Sequence, residues 1–190
     1  IMRIIAGHLK GQILNMSTSK ETRPLKDMVR ESIFNLLTHS NKISFQIKDS
    51  SVLDLYSGTG SFGLECLSRE AKYVHFVENE KIAFNILQSN IEKLNIKKKT
   101  KTYFKDVFKS IEGQNISKLK FDLIFCDPPF KYSNVDDLIK FISSKNLLKK
   151  NGVIVLHRNK NLNEILPKCL KVLDIRIYGL SKIIFGKFLS

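Results

Sequence analysis

The chain of 190 residues has no tryptophan, four prolines and three cysteines, and only six of its 32 basic side chains are arginine. Each scarcity excludes something. Cys66, Cys126 and Cys169 are widely spaced, with no C-x-x-C pair, which argues against both a disulfide framework and a structural zinc site. No run of about 18 apolar residues exists to form a membrane-spanning helix. The short apolar stretch and cleavage signal of a secretory peptide are also missing, so the expectation is a cytoplasmic protein. Internal repeats and low-complexity linkers are absent. A composition of 43% hydrophobic and 26% charged residues fits neither a disordered nor a membrane-embedded chain, and the length suits one domain with a sizeable core.

What the sequence has in excess is positive charge. The formal net charge is +14, from 32 Lys+Arg against 18 Asp+Glu. It is unevenly spread: residues 1–50 carry 8 basic and 4 acidic side chains, residues 51–130 carry 12 and 10, and residues 131–190 carry 12 and 4. The middle is nearly balanced and the two flanks hold the surplus. Because the basic residues are chiefly lysines amid many Ile and Asn, codon bias explains such a surface as well as nucleic-acid binding does. Charge alone decides nothing.

From residue 51 onward, strand-like runs alternate with helical periodicity. Strands are expected at 51–56, 73–78, 101–104, 121–126 and 152–156, with helices at 62–69, 107–113, 135–143 and 162–168. Ala83, Ile86, Leu87, Ile91 and Leu94 fall on one face of a further helix, following the 3.6-residue period. The tail reads as two strands, 170–178 and 182–189, about a turn at Gly179. Repeated alternation predicts an α/β fold with a mostly parallel sheet and helices on both faces. Residues 1–50 differ. They read as an N-terminal extension made of two short strands around a glycine turn, then a helix beginning near Pro24 with Val29, Ile33, Leu36 and Leu37 as its apolar stripe. The expected division is therefore 1–50 and 51–190.

Two constellations carry chemistry. The first is Asp54-Leu-Tyr56-Ser57-Gly58-Thr-Gly60-Ser-Phe-Gly63, between a strand and a helix. Glycines there let the backbone take positive φ and approach a ligand, and ligands of open parallel sheets bind beyond the carboxyl ends of the strands. Gly58-x-Gly60-x-x-Gly63, followed by Glu78 at the next strand end, satisfies the dinucleotide pattern, so a dinucleotide and S-adenosylmethionine compete. Asp54 favours the second, because a carboxylate facing the loop repels a pyrophosphate and attracts a cationic ammonium. Glu78 suits ribose hydroxyls in either case.

The second constellation is Asp127-Pro128-Pro129-Phe130, after the most apolar strand. Consecutive prolines stiffen the loop, which projects an acid and an aromatic ring from a central strand end. That pair suits an exocyclic amine on a planar base. Asp127 and a backbone carbonyl accept its two N–H groups, while Phe130 stacks on the ring.

Together these motifs resemble the amino-methylating branch of the class I S-adenosylmethionine-dependent methyltransferases, a Rossmann-like fold with a seven-stranded sheet. Met2-Arg-Ile-Ile-Ala-Gly-His-Leu-Lys-Gly11, Arg23-Pro24 and Val29-Arg30-Glu31-Ser-Ile-Phe34-Asn35 narrow the resemblance to the bacterial 16S rRNA guanine-N2 methyltransferases of the RsmD type. The resemblance implies a monomer acting on 16S rRNA, within the small ribosomal subunit or an assembly intermediate, with no membrane partner and no metal. It implies that Asp54, Tyr56, Ser57, Gly58, Gly60 and Glu78 bind the cofactor, with Asp106 at the adenine amine and Val107 at the adenine ring. Asp127, Pro128, Pro129 and Phe130 would hold the target guanine, and Arg3, His8, Arg23, Lys26 and Arg30 would meet RNA. The family usually reads Arg-Pro-Thr where this chain has Arg23-Pro24-Leu25, which removes a hydroxyl. The competing readings are an adenine-N6 methyltransferase on DNA or RNA, a catalytically silent RNA-binding assembly factor and, least favoured, a dinucleotide oxidoreductase. His39, His75 and His157 lack ligand spacing. Cys66 and Cys126 read as small core residues, and Lys97-Lys98-Lys99 as a solvated helix end.

Overall fold

The computed structural model describes residues 2–17 and 25–189. A short hairpin of β1 (Met2–Arg3) and β2 (Ile13–Leu14) precedes α1 (Asp27–His39). There follow β3 (Ser51–Leu55), α2 (Ser61–Ser68), β4 (Tyr73–Glu78), α3 (Lys81–Lys93) and β5 (Thr100–Phe104). The chain continues with α4 (Val107–Glu112), α5 (Gln114–Ser117), β6 (Phe121–Cys126), α6 (Val135–Ser144), β7 (Leu148–Asn159), β8 (Leu170–Tyr178) and β9 (Ser181–Phe188). The seven-stranded sheet has the order β5-β4-β3-β6-β7-β9-β8. Its first five strands are parallel, and β9 inserts antiparallel between β7 and β8. The expected α/β architecture with helices on both faces is what forms. No helix among the described residues is long and apolar enough to cross a membrane.

Side-chain alternation along the strands produces two cores. Val52, Phe76, Leu123, Phe125 and Val155 face one way, onto α1, α2, α3 and the β1–β2 hairpin. Leu53, Leu55, Ile124, Cys126 and Leu156 face the other, onto α4, α5 and α6. Cys66 and Cys126 are both buried. Strand order reverses at β3, whose neighbours β4 and β6 are reached by crossovers in opposite directions. That switch point opens a crevice at the carboxyl ends of β3 and β6.

The N-terminal segment is latched onto α2. Glu65 is fully buried and accepts the N–H groups of Ile5 and Ala6 at 2.8 and 2.9 Å. Ser68 accepts Leu9 N–H on its hydroxyl at 3.0 Å and His8 N–H on its carbonyl at 3.0 Å. Gly7 makes this approach possible: its φ is +82°, and a Cβ there would sit 1.8 Å from the Ser68 carbonyl oxygen. Asn90, also fully buried, accepts Asn15 N–H at 2.7 Å and donates to the carbonyls of Asn15 and Thr59 at 3.1 and 3.0 Å.

Three local expectations need correction. The helix expected at 162–168 does not form. Glu164 is drawn inward to Arg158, Leu162 N–H closes a turn on Asn159 O, and Pro167 prevents helical continuation. The strand expected at 152–156 runs from 148 to 159, because β6 and β9 pair along it on both sides. The helix expected at 107–113 does form, as α4 ending at Glu112, and the further short helix α5 follows Gly113. Finally, α1 begins at Asp27, while Arg23 and Pro24, the expected helix start, lie outside the described residues. Arg30 belongs to the buried face of α1, with Val29, Ile33, Phe34 and Leu37.

Candidate functional site

The crevice is a cavity of about 970 Å³ whose wall includes Asp54, Tyr56, Gly58, Glu78, Asp127 and Phe130. The loop after β3 supplies one side. Tyr56 (φ +57°), Gly58 (φ +55°) and Gly60 (φ +89°) all take left-handed backbone geometry, which costs energy at a tyrosine and so marks the turn as constrained by its surroundings. Ser57 N–H donates to Val77 O at 3.0 Å, tying the loop to β4. Gly60 packs close, since a Cβ there would lie 2.4 Å from the Leu87 side chain. Gly63 is a packing glycine, with the Phe76 ring 2.3 Å from where its Cβ would be.

Two carboxylates are held in this loop region. Asp54 Oδ2 accepts Gly63 N–H at 3.0 Å, whereas Oδ1 is buried with no hydrogen-bond partner among the described residues. Burial pushes the Asp54 carboxyl well above the usual carboxylate range; the Gly63 bond opposes this, and Asp127 and Glu78 add to it. Glu78 Oε2 accepts Gly58 N–H at 2.7 Å, and Oε1 accepts Asn79 and Glu80 N–H at 2.9 and 2.7 Å. Burial raises its pKa as well, against the pull of those three bonds. An orphaned buried oxygen in a cavity wall calls for a donor from a ligand, and a cationic amine suits it best.

Opposite stands the Asp127–Phe130 loop, fixed from β7 by two side chains. Arg158 is fully buried. It donates from Nη1 to the carbonyls of Pro128 and Pro129, both at 3.1 Å, from Nη2 to Tyr132 O at 2.7 Å, and from Nε to Glu164 at 2.7 Å. His157 places Nδ1 2.9 Å from Asp127 Oδ1 and Nε2 2.8 Å from Ser181 Oγ. The Phe130 ring stands edge-on to the imidazole, with centroids 5.5 Å apart and planes at 72°. Among the described residues, no group of three or more His, Cys, Asp or Glu side chains could hold a metal ion.

Residues 2–187 match the family described as conserved hypothetical protein 95. The chain belongs to this family. Ribosomal RNA small subunit methyltransferase D of Haemophilus influenzae is 32% identical over 179 residues, which cover 94% of this chain and 90% of that protein. The Escherichia coli protein of the same name is 31% identical over 151 residues, 80% and 68% of the two chains. A solved candidate methylase of Haemophilus influenzae has a TM-score of 0.74 at 27% identity, covering 100% of this chain and 99% of that one. A candidate methyltransferase of Escherichia coli reaches a TM-score of 0.82 at 23% identity over 98% and 97%. The fold is thus that of the class I methyltransferases, and the resemblance read in the sequence extends over nearly the whole chain.

In this member of the family, the cavity brings together Asp54, Tyr56, Ser57, Gly58, Glu78 and the whole Asp127–Phe130 loop. Gly60 shapes the turn from behind the wall. Asp106 and Val107 do not reach the wall: Asp106 caps α4 by accepting Lys109 N–H at 3.2 Å, and Val107 is buried in the second core. Among the described residues expected to meet RNA, only Lys26 lines the cavity. Arg3 is exposed and 3.9 Å from Asp27. His8 is exposed at the C-terminal end of α2, its Nδ1–H donating to Ser68 O at 2.9 Å, a helix length of about 10 Å from the cavity. Arg23 lies outside the described residues. Arg30 must be reassigned. It is fully buried, donates to Arg3 O and to Asp27 at 3.0 Å, and lies 3.8 Å from Glu65, so it braces the latch instead of offering charge to a ligand. Sequence reasoning set His157 aside for want of ligand spacing and passed over Arg158, and also Lys131 and Lys160, which share the cavity wall with Lys26. Their signal was position: both β7 residues follow the apolar run 153–156, at the carboxyl end of the strand beside β6.

Proposed function

We propose that this chain transfers a methyl group from S-adenosylmethionine to the exocyclic N2 of a guanine in small-subunit rRNA. One observation carries the reading: a single cavity joins the Asp54–Glu78 pair to the Asp127–Phe130 loop. The unpartnered Asp54 Oδ1 fits the cofactor's ammonium, and Glu78 fits its ribose hydroxyls, exchanging the Gly58 bond for them. The bound cofactor supplies a sulfonium methyl that needs no further activation. The chain then has to hold and align the acceptor. Asp127 and the Pro128 carbonyl accept the two amine N–H groups, which localises the nitrogen lone pair, and Phe130 lies against the base. As the N–C bond forms and the C–S pair stays with sulfur, one amine proton passes to the Asp127 carboxylate. Alignment supplies most of the acceleration. Guanine as the base rests on the likeness of the N-terminal and Asp127–Phe130 motifs to the RsmD type. Lys26 from the N-terminal segment, with Lys131 and Lys160 from the other flank, borders the mouth and suits phosphate there.

Tritiated methyl transfer to undermethylated small subunits, followed by nucleoside analysis, tests the reading. Label in N2-methylguanosine is the expected result. Label in N6-methyladenosine overturns the base assignment, and unlabelled RNA overturns the reaction. Asp127→Ala should lower transfer at least about 100-fold while cofactor affinity changes little; lost cofactor binding with retained transfer refutes the role given to the loop.

A further inference from the structure

Resting on the methyltransferase reading, we propose that His157 is a positioning residue for Asp127, pinning one carboxylate oxygen so that the other alone faces the target amine. The sheet register places the two side by side. Cys126 of β6 pairs with Leu156 of β7, so Asp127 and His157 are each one step further along adjacent parallel strands. His157 is only 6% exposed, and both its ring nitrogens are engaged within the cavity wall.

Donor and acceptor roles follow from the chemistry of the partners. A carboxylate only accepts, so the 2.9 Å contact assigns the proton to Nδ1. In the neutral ring Nε2 then presents a lone pair and Ser181 Oγ–H is the donor at 2.8 Å; in the imidazolium both nitrogens donate, and the Nδ1–H bond to Asp127 is the same. The imidazole is thereby fixed in one tautomer and one orientation from two sides, with the edge-on Phe130 ring limiting its rotation. An aspartate carboxyl in an open cavity turns freely about χ2. Held by Nδ1–H on Oδ1, Asp127 presents Oδ2 in a constant direction, beside the Pro128 carbonyl that Arg158 fixes. Two acceptors at a fixed spacing match the two N–H bonds of one amine. His157 touches neither reactant in this arrangement, and its effect reaches the amine only through Asp127.

Two substitutions separate positioning from mere packing. His157→Leu fills the space without a donor. His157→Asn places an amide N–H where Nδ1–H stands. The expected result for His157→Leu is kcat lowered about 10- to 100-fold, with KM for the subunit and Kd for S-adenosylmethionine each within about 2-fold; His157→Asn should recover most of that loss. Equal activity of the Leu and Asn variants, or a loss confined to KM, overturns the proposal. Nitrogen-15 spectra of histidine-labelled wild-type protein add a readout independent of turnover. They should show the Nδ1–H tautomer for His157, with its resonance displaced in Asp127→Ala. An Nε2–H tautomer overturns the pinning whatever the activity, whereas inactivity of the wild type toward subunits overturns the reaction reading and leaves the spectra to decide the pinning.

Discussion

Replacing Arg158 by methionine removes a buried cation and leaves the rest of its site in place. Its guanidinium serves three loop carbonyls, Pro128, Pro129 and Tyr132, together with Glu164. Glu164 is only 11% exposed at its side chain, and its other oxygen already lacks a hydrogen-bond partner among the described residues. Breaking a buried pair from one side costs roughly 3–5 kcal/mol, chiefly because a charge is left uncompensated. In a chain of this size each kcal/mol lowers the melting temperature by about 2–4 °C, so a drop of roughly 6–20 °C is expected. The double variant Arg158→Met/Glu164→Leu removes the stranded charge and should regain more than half of the loss. It should not regain transfer activity, since the Pro128 and Pro129 carbonyls still lack their anchor. Urea or thermal unfolding of the three proteins, with methyl transfer on the same samples, measures both. A single variant within about 1 kcal/mol of wild type, or a double variant no more stable than the single, would refute the reasoning.

Gly7→Ala asks how tightly the N-terminal segment is latched. Positive φ alone costs about 1–2 kcal/mol for a residue with a Cβ, and the methyl cannot fit 1.8 Å from Ser68 O. Hydrogen exchange should show the Ile5, Ala6 and Leu9 amides losing protection, and retained protection would contradict the latch. The raised pKa of Asp54, and to a lesser degree that of Glu78, makes cofactor binding proton-linked. A carboxyl whose pKa is raised in the free protein is held partly in its acid form, and pairing with an ammonium favours the carboxylate. Binding therefore releases protons and tightens as pH rises through the free-state pKa. Calorimetry in buffers of different ionisation enthalpy should detect this release, and a buffer-independent heat would contradict the assignment of Asp54.

The strands and the two constellations were legible because their signals are local. Continuous apolar runs such as 121–126 mark strands buried on both faces, and the turn glycines and prolines stand where the backbone needs them. Arg30 was misread for the opposite reason. Its place beside the apolar stripe of α1 is visible in the sequence, but its partners, the carbonyl of Arg3 and the carboxylate of Glu65, are brought to it only by tertiary folding. His157 was set aside and Arg158 overlooked similarly, since nothing local to β7 says that a loop thirty residues earlier ends beside them. The 162–168 segment shows a tertiary ion pair prevailing over a weak helical tendency.

Latching the N-terminal segment through Glu65, Ser68, Asn90 and Lys93, whose Nζ donates to Ile13 O at 2.7 Å, has a consequence for the order of events in synthesis. Its anchoring bonds span 59 to 80 residues of sequence. This segment is made before α2 and α3 yet is fixed only after both have been made and packed. One wall of the cavity is completed only when this segment returns to a body built after it.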